Sequence, residues 1–401
     1  MEDDFKIILF TSPSEVPGEA EMLTLFLQNG LDYLHIRKPE WSKENIGNLI
    51  AKIPACYHPK IKLHDCYELA EHFDVGVCLN SRNTFVPNGI KLISKGAHSM
   101  QETADAENYN YVFISPIYDS ISKAGYMSNS DLIEAANITG KTNLVALGGV
   151  KLSNLKEIRR KGFYGGAILG DIWNIGNSKL LIDTLRNRNM RLYFITNSKT
   201  AEGTVNQAKT AIDGGCRCVQ IRMKDATPET VEKVTAEVAV YAKPFGCNVI
   251  VDDHVEIAAK GIADGVHIGK KDMNPFEARK MLGNLPILGF TANNIEDIHN
   301  AKGLPIDYLG IGPLRETTTK KNAAAPLGLS TYQSLKKGAD YAMPYVAIGS
   351  VGIADIQPLM KAGAMGVAVS AAIAKASDPT AATKELVKET IKYNNYLEWI
   401  S

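Results

Sequence analysis

The chain repeats itself once, and that repeat limits the fold more than any other feature. Ile7-Ile8-Leu9-Phe10-Thr11 returns as Leu192-Tyr193-Phe194-Ile195-Thr196, and Leu34-His35-Ile36-Arg37 returns as Val219-Gln220-Ile221-Arg222. Leu63-His64-Asp65 matches Val251-Asp252-Asp253, and Gly76-Val77-Cys78-Leu79 matches Gly265-Val266-His267-Ile268. Ile114-Ser115-Pro116-Ile117 and Val145-Ala146-Leu147-Gly148 return as Ile311-Gly312-Pro313-Leu314 and Val346-Ala347-Ile348-Gly349. The order holds while the offset drifts from about 185 to about 200 residues. Solenoid repeats run to only ~20–50 residues, so the repeating unit is a whole domain. The polar run Arg186-Asn187-Arg188-Asn189 closes a helical pattern and Met190 opens a fresh strand, which sets the domains at 1–189 and 190–401 with almost no linker.

Within each half, apolar runs of β character alternate with helical patterns. In the second half the predicted strands lie near 192–196, 217–222, 248–251, 265–268, 286–290, 306–311, 345–349 and 365–369. Helical stretches between them include Pro228 to Ala242 and Pro275 to Leu282, each with proline in its first turn. Continuous apolar strands are those of a parallel sheet covered on both faces. The fold class is therefore α/β, with two tandem (β/α)8 TIM barrels, each compact for that fold. An open doubly wound sheet is the alternative, because strand count alone does not prove closure.

Lys+Arg and Asp+Glu both number 44, so no global field favours nucleic acid or an anionic membrane. Any anion site must therefore be local. The acidic start, Met1-Glu2-Asp3-Asp4, is unlike a secretory leader, and no apolar run approaches a membrane span. Six cysteines without a CxxC pair fit reduced thiols in a cytoplasmic protein. Association of identical chains is compatible with the sequence.

In such a barrel the ligand groups sit at the C-terminal ends of the strands. Strand alternation puts Gln220, Arg222 and Lys224 on one face, which makes an anion site for phosphate or diphosphate. Later strand ends add Asp252 and Asp253, then His267 with Asp272 beyond it, then Thr291. After the sixth strand come Thr317, Thr319 and Lys320, the seventh ends in Gly349-Ser350, and the eighth leads into Ser370-Ala371. Carboxylates beside several cations suit Mg²⁺ bridging a diphosphate, with Asp253 and Asp272 as its candidate ligands. Gly349 and the small residues after the last strand suit a monophosphate held by backbone N–H groups. For each Asp taken singly, a helix cap or loop ion pair is the alternative.

The motifs Gln220-Ile221-Arg222-Met223-Lys224, Asp252-Asp253, Gly265 to Asp272, Gly312-Pro313, Thr317 to Lys320 and Ala347-Ile348-Gly349 together resemble the thiamine phosphate synthase family, also called thiamine-phosphate pyrophosphorylase. The resemblance implies a transferase that joins hydroxymethylpyrimidine diphosphate to thiazole phosphate and releases diphosphate with Mg²⁺; the alternative for the whole chain is a non-enzymatic pair of barrels that bind phosphorylated ligands. It implies that Arg222, Lys224 and Lys320 bind diphosphate, with Gln220 and Asp252 near it. It gives Asp253 and Asp272 to the metal, Thr291 to the leaving group or pyrimidine, and Thr317, Thr319 and Gly349 to the thiazole phosphate. Asp252 replaces a common Asn, Lys270 a common Gln, Asn293 a frequent His, and Ser350 the second glycine of the phosphate turn.

The first half resembles the same superfamily, which includes thiazole tautomerase, but keeps only part of the site. Arg37, Asp65, Lys123 and Gly148-Gly149 persist, while His35 replaces Gln220, Pro39 replaces Lys224 and Asn83 replaces Asp272. The histidine that tautomerases place after the sixth strand is Pro116 here. Three readings stay open for this half: a non-catalytic partner, an acid–base enzyme on the thiazole side, or a regulatory binder of a phosphorylated ligand. His35, His64, Cys78 and His98 all fall at predicted strand ends, a placement that suits chemistry or a metal.

Overall fold

The computed structural model describes residues 4–119, 143–173, 175–316, 324–335 and 343–400. The chain divides into two compact units, one through Leu185 and one from Arg186 to Trp399. The division falls inside the helix Ile175–Asn189, whose last turn bonds within the second unit. There Arg186 donates to the Leu285 carbonyl and Asn189 to the Gly246 carbonyl at 2.9 Å.

The first unit carries β1 Lys6–Phe10, β2 Tyr33–Ile36, β3 Ile61–Leu63, β4 Gly76–Leu79, β5 Ile93–Ala97, β6 Tyr111–Ile114, β7 Leu144–Ala146 and β8 Gly165–Ile168. Each pairs in parallel with the next, and β8 returns to β1 with Lys6 opposite Gly165 and Leu9 opposite Ile168. The second unit repeats the order with β9 Leu192–Ile195, β10 Cys218–Ile221, β11 Asn248–Asp252, β12 Gly265–Ile268, β13 Ile287–Ala292, β14 Tyr308–Ile311, β15 Tyr345–Ala347 and β16 Gly366–Val369. Pairing of β16 with β9, Val367 opposite Leu192, closes this sheet too. Closure of both sheets excludes the open doubly wound alternative.

Local sequence explains the elements. Helices Pro228–Ala242 and Pro275–Leu282 begin on proline, and the side chains of Thr227 and Asn274 accept from Thr230 N and Phe276 N. A cap of this kind contributes about 1 kcal/mol. In the first of these helices Val231, Val234, Val238 and Ala242 are buried at helical spacing, against strands whose outward residues are apolar. At the opening of β12, a side chain on Gly265 would meet the Ile287 carbonyl at 2.3 Å, so only glycine lets these strands approach. Among the described residues no helix is long and apolar enough to cross a membrane, and all six cysteines are free.

Candidate active site

The strand ends of the second unit surround a cavity of about 380 Å³. On one side stand Gln220, Arg222 and Lys224 with Asp252, Asp253 and Asp272; across from them lie Gly349, Ser350, Ser370 and Ala371. His267 and Thr291 line it as well. Thr317, Thr319 and Lys320 lie outside the described residues.

Asp252 is the hub of the charged side. It is the last residue of β11, and its Oδ1 accepts from Gln220 Nε2 at 2.5 Å. Its Oδ2 lies 3.1 Å from Lys224 Nζ and 3.5 Å from Arg222 Nε. Lys224 also donates to Asp253. Burial alone would lower the Lys224 ammonium, but the two carboxylates outweigh it and raise its pKa above the usual lysine value. Asp252 thus offsets the charge of the two cations beside it. Asp253 has left-handed backbone, φ 69°, rare outside glycine, and its N–H donates to the His267 carbonyl at 2.9 Å. That geometry turns its carboxylate toward the mouth. Asp272 is fixed on the same side by Gly269 N–H, which donates to Oδ2 at 2.7 Å.

Tyr193 and Tyr308, which sequence reasoning did not single out, orient the middle of the site. Their hydroxyls meet at 2.9 Å inside the barrel, Tyr308 bonds His267 Nδ1 at 2.9 Å, and His267 Nε2 bonds Thr291 Oγ1 at 2.8 Å. This buried relay fixes which way the Thr291 hydroxyl faces the cavity. The signal available in sequence was period-2 alternation, which points Tyr193 inward with Ile195.

Opposite, Gly349 and Ser350 make a turn with φ 90° and 55°. Ser350 thus adopts the backbone expected of the glycine it replaces, and its hydroxyl donates to the Glu316 carbonyl at 2.7 Å. Ser370 Oγ is buried without a hydrogen-bond partner among the described residues, a polar atom left for a ligand. Arg315 braces the turn, reaching the Ser350 carbonyl at 3.3 Å and forking onto both oxygens of Asp355. The Arg315 guanidinium holds the Asp355 carboxyl below its usual range despite burial. Because the folded state favours the ionised form, this contribution is present above the unfolded carboxyl pKa and lost as pH falls through the carboxylate range. Asp355→Asn should lower stability at neutral pH by up to about 1 kcal/mol, since Arg315 is exposed. The variant should also flatten the acid limb of a melting-temperature profile; an unchanged limb would show that the pair does not brace the turn.

The first unit has a matching cavity of about 340 Å³, lined by Arg37, Gly148 and Gly149 but also by His64, Cys78, Arg82 and Phe113. Lys123 lies outside the described residues. Asp65, the counterpart of Asp253, accepts from Asn83 Nδ2 at 3.0 Å and from Arg82 at 3.3 Å. An amide donor therefore faces this carboxylate where the second barrel offers another carboxylate. His35, counterpart of Gln220, is buried and bonds His64 Nε2 at 2.9 Å and the Tyr111 hydroxyl at 2.6 Å. Burial, then the cations of Arg37 and Arg82, pull the His64 imidazole down to about 3, and burial pushes the Cys78 thiol up to about 11.

A closed barrel whose mouth sets cations and carboxylates against a glycine-type turn defines a class: (β/α)8 proteins acting on small phosphorylated molecules. A family model described as Thiamine monophosphate synthase matches residues 8–172 and again 192–373, and the chain belongs to that family. It is 45% identical over 203 residues to Thiamine-phosphate synthase of Bacteroides fragilis, covering 49% of this chain and 98% of that protein. The synthase of Phocaeicola vulgatus is 40% identical over 206 residues, covering 51% of this chain and 99% of its own length. Among solved structures, thiamine phosphate pyrophosphorylase from Pyrococcus furiosus matches with TM-score 0.46 at 28% identity, covering 51% of this chain and 98% of that one.

Proposed function

We propose that the second barrel carries the thiamine phosphate synthase reaction, joining hydroxymethylpyrimidine diphosphate to thiazole phosphate in thiamine biosynthesis. The observation that supports this reading is the single cavity that brings Arg222, Lys224, Asp253 and Asp272 opposite the Gly349-Ser350 turn. The charged side suits a diphosphate and the turn suits a monophosphate, which are the two ends of the two substrates.

Asp253 and Asp272 fit Mg²⁺: both are oxygen donors on one cavity, and a cation, Lys224, already sits on Asp253. When bound, Mg²⁺ shields the charge that grows on the departing diphosphate. Arg222 and Lys224 take up the same charge through charge-assisted hydrogen bonds once the diphosphate draws them from Asp252. Departure leaves a pyrimidine-methyl cation stabilised by its own ring amino group. The attacking thiazole nitrogen carries no proton, so the site needs no general base, and positioning with leaving-group electrostatics is enough. Thr291, held by His267, is placed to bond the pyrimidine or the diphosphate.

The first barrel lacks this equipment, with Pro39 for Lys224 and Asn83 for Asp272. In the full-length protein, Arg222→Ala should lower kcat/KM roughly 10- to 100-fold, the worth of a charged hydrogen bond. Arg37→Ala should leave it within about twofold. Equal losses from the two variants would put the reaction in both barrels and refute the assignment.

A further inference from the structure

The repeat places His35, His64 and Cys78 where the second barrel has Gln220, Asp252 and His267. Three matched strand-end positions have therefore changed from a mixed oxygen and nitrogen set to two imidazoles and a thiol. One ligand atom from each lies within 4.8 Å of the others, which makes a group of three donors that could hold a metal ion. We propose that the mouth of the first barrel is a metal site for Zn²⁺ or a similarly thiophilic ion, bound by His35, His64 and Cys78.

Two of the three donors stand near ligating spacing, and the Cys78 thiol, within 4.8 Å of them, closes in to complete the set. A tetrahedral zinc with Zn–N of about 2.0–2.1 Å and Zn–S of about 2.3 Å places its donors ~3.3–3.6 Å apart. His35 Nδ1 and His64 Nε2 are 2.9 Å apart, so a few tenths of an ångström would admit the ion in place of the proton they share. Their hydrogen bond also requires one ring to aim a lone pair into the cluster. The outer nitrogen of His35 is held by the Tyr111 hydroxyl at 2.6 Å, an orienting bond of the kind ligating histidines make. Phe10 stacks on His35 at 4.8 Å and Phe113 meets it edge-on at 4.8 Å, so the ring is fixed before any metal arrives.

Donor chemistry selects the ion. Imidazole and thiolate favour zinc or copper(I), and Mg²⁺ takes oxygen ligands, so the two barrels would sort different cations. Binding releases the Cys78 thiol proton to solvent as the sulfur–metal bond forms, with no change of oxidation state. His64 and Cys78 line the cavity, which gives the ion an entry path and leaves a fourth position facing Arg37, Arg82 and the Gly148-Gly149 turn. Three protein ligands with an open position is the arrangement of catalytic rather than structural zinc.

The test is titration of the metal-free full-length protein with Co²⁺ and then Zn²⁺. The expected result is one thiolate-bound cobalt per chain, seen as a near-ultraviolet thiolate-to-cobalt band, displaced by Zn²⁺ but not by excess Mg²⁺. Cys78→Ser should remove the band and weaken Zn²⁺ binding at least 100-fold, while Cys66→Ser should change neither. Should Cys78→Ser fail to fold, His64→Gln must weaken Zn²⁺ binding in its place. Absence of the band in the wild type, or binding that survives both substitutions, would overturn the site.

Discussion

Asp253→Asn should lower kcat/KM by on the order of 10²–10³ without lowering the melting temperature. The residue combines a strained backbone with a half-buried carboxylate at the cavity. At φ 69° most side chains carry a penalty of about 1–2 kcal/mol, but Asn tolerates this region as Asp does. The substitution therefore keeps the backbone and volume and removes only the charge. Lys224 keeps Asp252 at 3.1 Å, so the cation is not orphaned. What disappears is a carboxylate for Mg²⁺, and with it stabilisation of charge on the leaving diphosphate. Turnover should recover little at saturating substrate and should need far more Mg²⁺. A variant with wild-type turnover and unchanged metal dependence would remove Asp253 from the metal site. Asp253→Ala is the harsher companion: it should lose activity similarly and also lose about 1 kcal/mol of stability, because alanine resists the left-handed region.

Much of this site is legible in the chain because it is carried by strand ends, and strand ends are where alternation and apolar runs stop. Gln220, Arg222 and Lys224 could be assigned to one face by period 2 alone, and they line one cavity although β10 itself stops at Ile221. Pro228–Ala242 and Pro275–Leu282 end where the pattern places them, because each has a cap before its proline and a break after it. The pairing of charges was not legible. That Asp252 holds Gln220, Arg222 and Lys224 together depends on the stagger of β10 against β11, Gln220 opposite Ile250, which sequence spacing does not encode.

The buried relay from Tyr193 to Thr291 was missed for a related reason. Tyrosines inside a barrel read as core, and only closure brings the first and sixth strands of a unit within hydrogen-bonding distance of each other. The same holds for Tyr111 beside His35 in the first barrel. There the sequence gathered His35, His64, Cys78 and His98 at strand ends without ranking them. Burial separates them: the first three are buried and cluster together, whereas His98 is exposed and bonds the Ser115 carbonyl at 3.1 Å.

The matched glycines Gly349 and Gly148 offer the sharpest comparison between the barrels. Both have φ near 90°, and both press against the proline that follows the sixth strand. A side-chain carbon on Gly349 would meet Pro313 at 2.4 Å, and one on Gly148 would meet Pro116 at 2.9 Å. Gly→Ala at either position combines left-handed strain of about 1–3 kcal/mol with an overlap that costs a similar amount. Both variants should therefore lose roughly 2–5 kcal/mol from the barrel that carries them, read by hydrogen exchange at the seventh strand. Activity should separate them. In Gly349→Ala the turn must move away from Pro313, and displacement of about 1 Å at a positioning group is worth ~10²-fold. The loss should appear chiefly as a raised KM for thiazole phosphate, with the Mg²⁺ requirement untouched, because the charged side of the cavity is built on other strands. Gly148→Ala should carry its stability loss and leave synthase turnover near that of the wild type at temperatures where it remains folded. If Gly148→Ala instead raised the KM for thiazole phosphate as Gly349→Ala is expected to, the substrate site would have to be shared between both glycine turns.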